Sequence, residues 1–442
     1  MLTRLARAVM RWELLWLVLL APFLFFPGEG RGIAIVALPV LWLLRWVASR
    51  HFVPRTPLDG SLLLLLVMVA VSLWATFDLA FSLPKVTGVL LGVAFFYAIV
   101  ERAGSRRGIL LALAFFLATS VAIAGISLFT TRWTSKFTFF QRLIALLPNT
   151  ALELPGGPSD GFNPNGVAGA LLFAVPLLLV LIWPYRNAAL SLVSRRGRWL
   201  LYPLLLLAFL LTALVLVLTQ SRGGYLGLAV GLLVLLLPRR RLFFLVTAIA
   251  ALVLVVALRT GPDTLLTYFD DTQTVEVREE VTDNVVSGVQ SFGDRVQLWR
   301  RTLYVIHDFP LTGTGMGTFR QVVPILYPVF SIPPDLDVGH AHNHLLAAAV
   351  DLGLPGLAAY LALWFGAAAM CWQIWHSTLP DGYRAVTLGL AAGLLANFVW
   401  GLTDANVLGA KAAFPFWLAL GAVAALHRYS VLGEGADVQR VE

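Results

Sequence analysis

Three histidines stand at alternate positions in "HAHNHLLAAAVDLGLPG", residues 340–356, and the whole chain has seven. Imidazole changes charge near neutral pH, so this stretch is open to acid–base chemistry, metal binding, or no chemistry at all in a solvated loop. Were residues 340–350 helical, His340 and His344 would share a face at i, i+4, a spacing used by metal ligands, and His342 would point away. A third ligand with a fixed surround is not evident in the sequence, which counts against a metal. The setting favours acid–base work, because the stretch stands at a helix start where Asn343 and His344 can orient their neighbours.

Arginine supplies the second candidate chemistry. Arg222 sits in "LTQSRGGYLGL", between two apolar runs, where an ionisable group is costly to hold and is a functional candidate by default. The structural alternative is an arginine snorkelling to the headgroups. Gly223 and Gly224 would leave backbone N–H groups open at a helix start, which suits an anionic oxygen. Arg295 opens a second helical stretch, with Arg300, Arg301 and Arg320 close by in sequence. The guanidinium fork matches phosphate oxygens in pairs, so converging arginines would suit a lipid diphosphate.

Other polar motifs read as structure. Asn163 and Asn165 in "GFNPNGVAGALL" can cap a helix. Asp270 and Asp271 are adjacent acids in a polar stretch, where solvation is the ordinary outcome. Cys371 lies in an apolar run and suits a small core residue.

The elements that must position these groups follow from composition. The 442 residues are 59% hydrophobic and 13% charged, with a mean hydropathy of +0.82. Soluble chains average about 25% charged residues, so too little polar surface exists to cover one soluble core. The fold class expected is an all-α polytopic membrane protein. Apolar runs predict about twelve transmembrane helices near 13–27, 32–48, 60–77, 82–101, 108–129, 165–184, 199–219, 223–237, 242–258, 353–374, 384–402 and 407–427. The N-terminal run resembles a signal peptide without a clear cleavage site, and reads as an uncleaved first span.

Twelve spans place both termini on one side. Arginine crowds the short connectors on that side (Arg45, Arg50, Arg106, Arg107 and Arg239–Arg241 among them), which makes it cytoplasmic. The net charge of +8 is therefore a topology signal, and nucleic acid is not an expected partner. Residues 1–258 would hold spans one to nine, 259–341 a long periplasmic loop, and 342–442 the last three spans. Within the loop, Val296, Trp299, Leu303 and Ile306 form one apolar stripe, and Asp294 suits an N-cap. This reads as an outer-face helix lying over the bundle.

Three blocks carry a resemblance: "SRGG" at 221–224, "DRVQLWRRTLYVIHDFPLTGTGMGTF" at 294–319, and "HNHLLAAAVDLGLPG" at 342–356. In this order and on one side, they resemble the O-antigen ligase/polymerase superfamily. The resemblance implies a GT-C-like membrane glycosyltransferase of the bacterial inner membrane that needs no cofactor and no metal. It implies a glycan donor on undecaprenyl diphosphate, presented at the periplasmic face. In the ligases the acceptor is a sugar hydroxyl of the lipid A–core oligosaccharide, in lipopolysaccharide biosynthesis. By motif match, Arg222 and Arg295 would bind the donor diphosphate and His342 would be the base, while His340 and His344 do not carry over. Arg300, Arg301, Gly223 and Asn343 are expected to help hold the diphosphate.

A single base acting on a hydroxyl implies one displacement with inversion, and no carboxylate pair is placed for a glycosyl-enzyme route. Competing readings are an O-antigen polymerase, a protein O-oligosaccharyltransferase and, in another class, a membrane transporter. The compact loop argues against the second, and the absence of matching halves argues against the third.

Overall fold

A computed structural model of the chain describes residues 2–25, 31–133, 135–137, 140–147, 161–238, 241–242, 246–247, 292–328 and 338–432. The expected span 242–258 lies almost wholly outside them, as do Asp270, Asp271 and the polar first part of the expected loop. The described residues are helical, and their one β-bridge pairs Thr131 with Phe162.

The core is built from helices apolar on every face. Such a helix has no side to offer water, so it must be surrounded by protein or lipid. Helix α5 (Leu79–Glu101) is buried almost without interruption from Val86 to Val100. It packs against α17 (Phe414–Leu432), buried from Pro415 to His427. Around this pair stand α2 (Glu13–Phe25), α4 (Asp59–Ala75), α6 (Arg106–Thr130), α15 (His344–Trp375) and α16 (Asp381–Gly401). Helices α8 (Pro164–Leu171), α9 (Val175–Ile182), α11 (Arg195–Leu218) and α12 (Arg222–Val234) complete the bundle.

Among the described residues, five helices are long and apolar enough to cross a membrane: Leu79–Gly104, Arg106–Thr130, Gly197–Leu218, His344–Trp375 and Asp381–Gly401. Two bent pairs raise the number to seven, namely α1 (Leu2–Met10) with α2, bent by 66°, and α8 with α9, bent by 43°. Ala34–Ser49, Asp59–Ala75 and Arg222–Val234 are shorter apolar helices. Length and composition thus license five to seven spans among the described residues, where the apolar runs of the whole chain predict twelve. The described residues form an all-helical structure of multi-pass membrane type.

Two expected boundaries move, each for a backbone reason. The run 353–374 is the second half of α15, which starts at His344 and breaks at Gly353 (φ 70°). The run 407–427 becomes helical only at Phe414, because Gly409 (φ 80°) turns the chain first. A Cβ on Gly409 would lie 1.9 Å from the Lys85 carbonyl oxygen, so only glycine lets this turn press on α5.

Outside the bundle, α13 (Phe292–Asp308) and α14 (Phe319–Leu326) lie over the first half of α15. The apolar stripe of α13 differs from expectation. Its buried residues are Leu298, Thr302 and Val305, at i, i+4 and i+7, whereas Leu303 is 55% exposed. Val305 and Leu298 pack with Val350, Val338 and Ala341, which sets the helix's rotation. The helix also begins at Phe292, two residues before the expected cap at Asp294.

Candidate active site

Four chain segments meet at one end of the bundle: the turn before α12, the start of α13, residues 338–343, and the turn after α16. Their meeting point is Asp404. Its buried Oδ1 accepts from the Ala405 N–H at 2.8 Å. The same oxygen lies 3.4 Å from His342 Nδ1 and 3.9 Å from His340 Nε2. Burial works to raise the Asp404 carboxyl, but the hydrogen bonding and charge of His342, with His340 and Arg295, hold it below the ordinary carboxylate range. Asp404 is therefore the anion to which two imidazoles turn.

The histidine loop is tightly constrained. His342 has φ 47°, a left-handed conformation uncommon outside glycine. Its amide donates to His340 Nδ1 at 3.1 Å, and the two rings lie 4.4 Å apart. Trp299 Nε1 donates to the Ala341 carbonyl at 2.9 Å, pinning the loop to α13. Asn343 then caps α15, its Oδ1 accepting from Leu345 and Leu346 N–H. Its Nδ2 donates to the Leu402 carbonyl, two residues before Asp404. One asparagine thereby fixes both the histidine and the acid. The helix begins only at His344, so His340 and His344 share no helical face. His344 is buried among Tyr360, Trp364 and Phe398, with Nδ1 at 3.0 Å from the Tyr360 hydroxyl.

Helix α12 brings Arg222 to the same place through glycine. Gly223, Gly227 and Gly231 recur every four residues, on one face. A Cβ on Gly227 would lie 2.3 Å from the Ala396 carbonyl, and one on Gly231 2.5 Å from that of Ala392. The stripe therefore lets α12 close on α16, as small residues do between helices in membranes. A Cβ on Gly223 would meet Thr403 Oγ1 at 2.6 Å, so Arg222 starts beside the turn that carries Asp404. The expected open N–H groups need correcting, since the Gly224 N–H donates to the Ser221 hydroxyl, the cap of α12. Gly223 serves close approach, and Asn343 has both ends of its amide engaged in the cap and tether.

Cations gather round this acid. The Arg222 guanidinium lies 5.8 Å over the Phe137 ring. Gln220 Oε1 accepts from the N–H groups of Lys136 and Phe137, holding that loop to the α12 start. Lys136 Nζ donates to Asn165 Oδ1 at 3.1 Å, while Asn163 does the capping of α8. Burial pushes the Lys136 ammonium down; Asp404 resists the shift, and Arg295 and Arg222 add to it. Arg295 Nε is buried. Arg320 stacks over Phe81 at 5.6 Å and crosses Gly339, next to His340. Arg300 and Arg301 follow Arg295 by five and six residues, which turns them about 120–140° around the helix at 100° per residue. They point away from the cluster, Arg300 being exposed.

The first and last of the sequence blocks thus meet, and the middle one explains how. Gly313 (φ 64°), Gly315 (φ 102°) and Gly317 (φ 80°) wind the "LTGTGMG" turn into the break of α15. Thr314 N–H donates to Val350 O, Leu354 N–H to Pro310 O, and Gly317 N–H to Asp351 Oδ1. Sequence reasoning missed Asp404, Lys136 and the part of His340. Asp404 carried a signal, being an acid just past the end of an apolar run on the histidine side.

Donor atoms of His340, His342 and Asp404 all lie within 4.8 Å of one another, close enough for a metal. The hydrogen bonding opposes it. His340 Nδ1 accepts from an amide, so the proton of the neutral ring sits on Nε2, toward Asp404, where a metal would need a lone pair. His342 turns its Nδ1 toward the carboxylate at 3.4 Å, so Nε2 is the ring nitrogen on the side away from Asp404.

Residues 207–361 match the family model described as O-antigen ligase. This segment belongs to the O-antigen ligase/polymerase superfamily. A search of the curated proteins finds no match. The matched segment carries Arg222, Arg295, His340 and His342, whereas Asp404 and Lys136 come from the chain on either side of it. Members are glycosyltransferase-like enzymes acting on lipid-linked glycans, and an imidazole beside a carboxylate and clustered arginines is compatible with chemistry of that kind.

Proposed function

We propose that the chain is an O-antigen ligase. In this reading it moves a glycan from undecaprenyl diphosphate to a sugar hydroxyl of the lipid A–core oligosaccharide, at the periplasmic face of the bacterial inner membrane. The observation that carries the reading is the His342–Asp404 pair with Arg222, Arg295 and Lys136 around it.

Asp404 orients the His342 ring through Nδ1, and Nε2 takes the proton of the acceptor hydroxyl. The hydroxyl oxygen bonds to the anomeric carbon as the bond from that carbon to the diphosphate oxygen breaks. The leaving diphosphate gains negative charge, and Arg222 and Arg295 stabilise it without the need for a metal. One displacement inverts the anomeric carbon. Arg300 and Arg301, turned away from this centre, have no part in the step.

The test supplies purified protein with one lipid-linked glycan and each acceptor in turn. Glycosylated lipid A–core as the product supports the ligase. Chain extension on a second lipid-linked glycan, with lipid A–core untouched, would make it a polymerase. Transfer to neither acceptor overturns the proposal.

A further inference from the structure

Arg300, Arg301 and the exposed side of α13 are left unused by the transferase reading. That side is mixed, with large apolar side chains standing beside Gln297, Arg300, His307 and Asp308. Leu303 and Tyr304 are each 55% exposed, and Leu311, just beyond the helix, is 69% exposed. Tyr327 donates to Asp308 and ties the end of α14 to the end of α13, bringing in Ile325, 75% exposed. Large apolar side chains gathered at one exposed edge mark a contact surface.

Its occupant follows from where the edge leads. The Leu354 N–H donates to the Pro310 carbonyl at 2.7 Å, so Leu311 stands beside Leu354. Leu354 begins the exposed stripe of the spanning half of α15, which continues through Phe365 and Trp372. At 100° per residue these three fall within about 20° of one another, one lipid-facing line along the span. The edge is therefore the continuation of a lipid-facing stripe past the end of its span. Along the axis of α13, Tyr304 stands about 6 Å, and Arg301 and Arg300 about 10–12 Å, from the end of the helix at Asp308, at 1.5 Å per residue. Apolar residues next to the span, with tyrosine and arginine further along the helix, match the residue types found at a headgroup interface.

We propose that α13 and α14 form an interfacial anchor on the His342 side of the membrane. Leu303, Tyr304, Leu311 and Ile325 enter the boundary between acyl chains and headgroups, and Arg300 and Arg301 bind phospholipid phosphates there. The anchor fixes the height of Arg295 and Trp299, on another face of the same helix, above the membrane plane. The proposal does not depend on the transferase reading.

Nitroxide labels on the full chain test it. Leu311→Cys and Tyr304→Cys, each in a Cys371→Ala background, are labelled and reconstituted in phosphatidylcholine vesicles with and without phosphatidylglycerol. Phe365→Cys provides a lipid-facing reference, and Asp381→Cys, at the exposed start of α16, an aqueous one. Relaxation by oxygen against a water-soluble nickel chelate then reports depth. The expected result places position 311 with Phe365 and position 304 between the references. Phosphatidylglycerol should draw position 304 deeper, and Arg300→Gln with Arg301→Gln should abolish that response. Labels at 304 and 311 that behave like Asp381 in both vesicles overturn the anchor. A lipid-like position 311 with no response to phosphatidylglycerol overturns the role given to the arginines.

Discussion

In the proposed reaction His342 and Asp404 divide one task between two side chains, and their variants should separate the parts. His342→Ala removes the base, so transfer should be lost while donor binding survives. Asp404→Asn keeps the volume and loses the charge that orients Nδ1, so transfer should fall by about 10²–10⁴-fold, the usual worth of a positioned base. Full turnover in His342→Ala would refute the base assignment. Arg222→Ala should act differently, raising the donor KM. His340 offers a test without substrate. Burial, and then the charge of His342, push its imidazole down to about 3, from an ordinary value of about 6.5. Below about 6.5 the unfolded chain takes up a proton that the folded chain refuses, so stability should fall as pH drops from there toward 3. Asp404, held low, loses its own contribution in the same direction at more acid pH. Melting temperature in detergent between about pH 6.5 and 4 should therefore decline, and His340→Gln should flatten the decline.

Elements place these side chains through backbone geometry more than through side-chain contacts. Gly353 is the clearest case. Its φ of 70° breaks α15, and a Cβ there would lie 2.6 Å from the Leu311 carbonyl group. Gly353→Ala should cost about 1–3 kcal/mol in backbone strain and expel the 310–317 turn from the break. A melting point equal to that of the unaltered protein would show that the break is not glycine-dependent. The α12–α16 seam makes a separate prediction. Gly227→Leu should force α12 off Ala396 and carry Arg222 away from Thr403, so donor affinity should fall although residue 227 lies more than a turn from the site. At the start of α15, Asn343→Ala removes a cap worth about 0.5–2 kcal/mol and also frees the Leu402 carbonyl. It should lower activity more than stability, because the tether orients Asp404 and the cap only ends a helix.

At the scale of the molecule, the site lies where α6, α8, α11, α12, α15 and α16 begin or end, all at one end of the bundle. Alternating spans deliver exactly one end of each helix to a given side, which is how segments far apart in sequence share one pole. The arginine-rich connectors belong to the opposite pole, where Arg102 Nη2 donates to the Arg11 carbonyl and His51 pairs with Glu101. Tags at the N-terminus and after residue 432 should therefore both be accessible from the cytoplasm, with a label at position 311 reached only from outside. A C-terminal tag accessible from outside would mean an odd number of spans.

Apolar runs, arginine bias and three short blocks were readable without coordinates, because hydrophobicity and charge are local properties that a membrane sorts one segment at a time. His342 and two arginines of the candidate site stand out for the same reason, each an ionisable group where hydrocarbon makes ionisable groups rare. What Gly223, Asn343 and Asp404 do was not readable. Their partners are Thr403, Leu402 and His342, up to nearly two hundred residues away, and no periodicity in a chain records such pairings. The stripe of α13 was misread for a related reason, since lipid and protein both accept apolar residues. Only the packing of Leu298 and Val305 on Val350 decided which face the protein buried and which it left exposed.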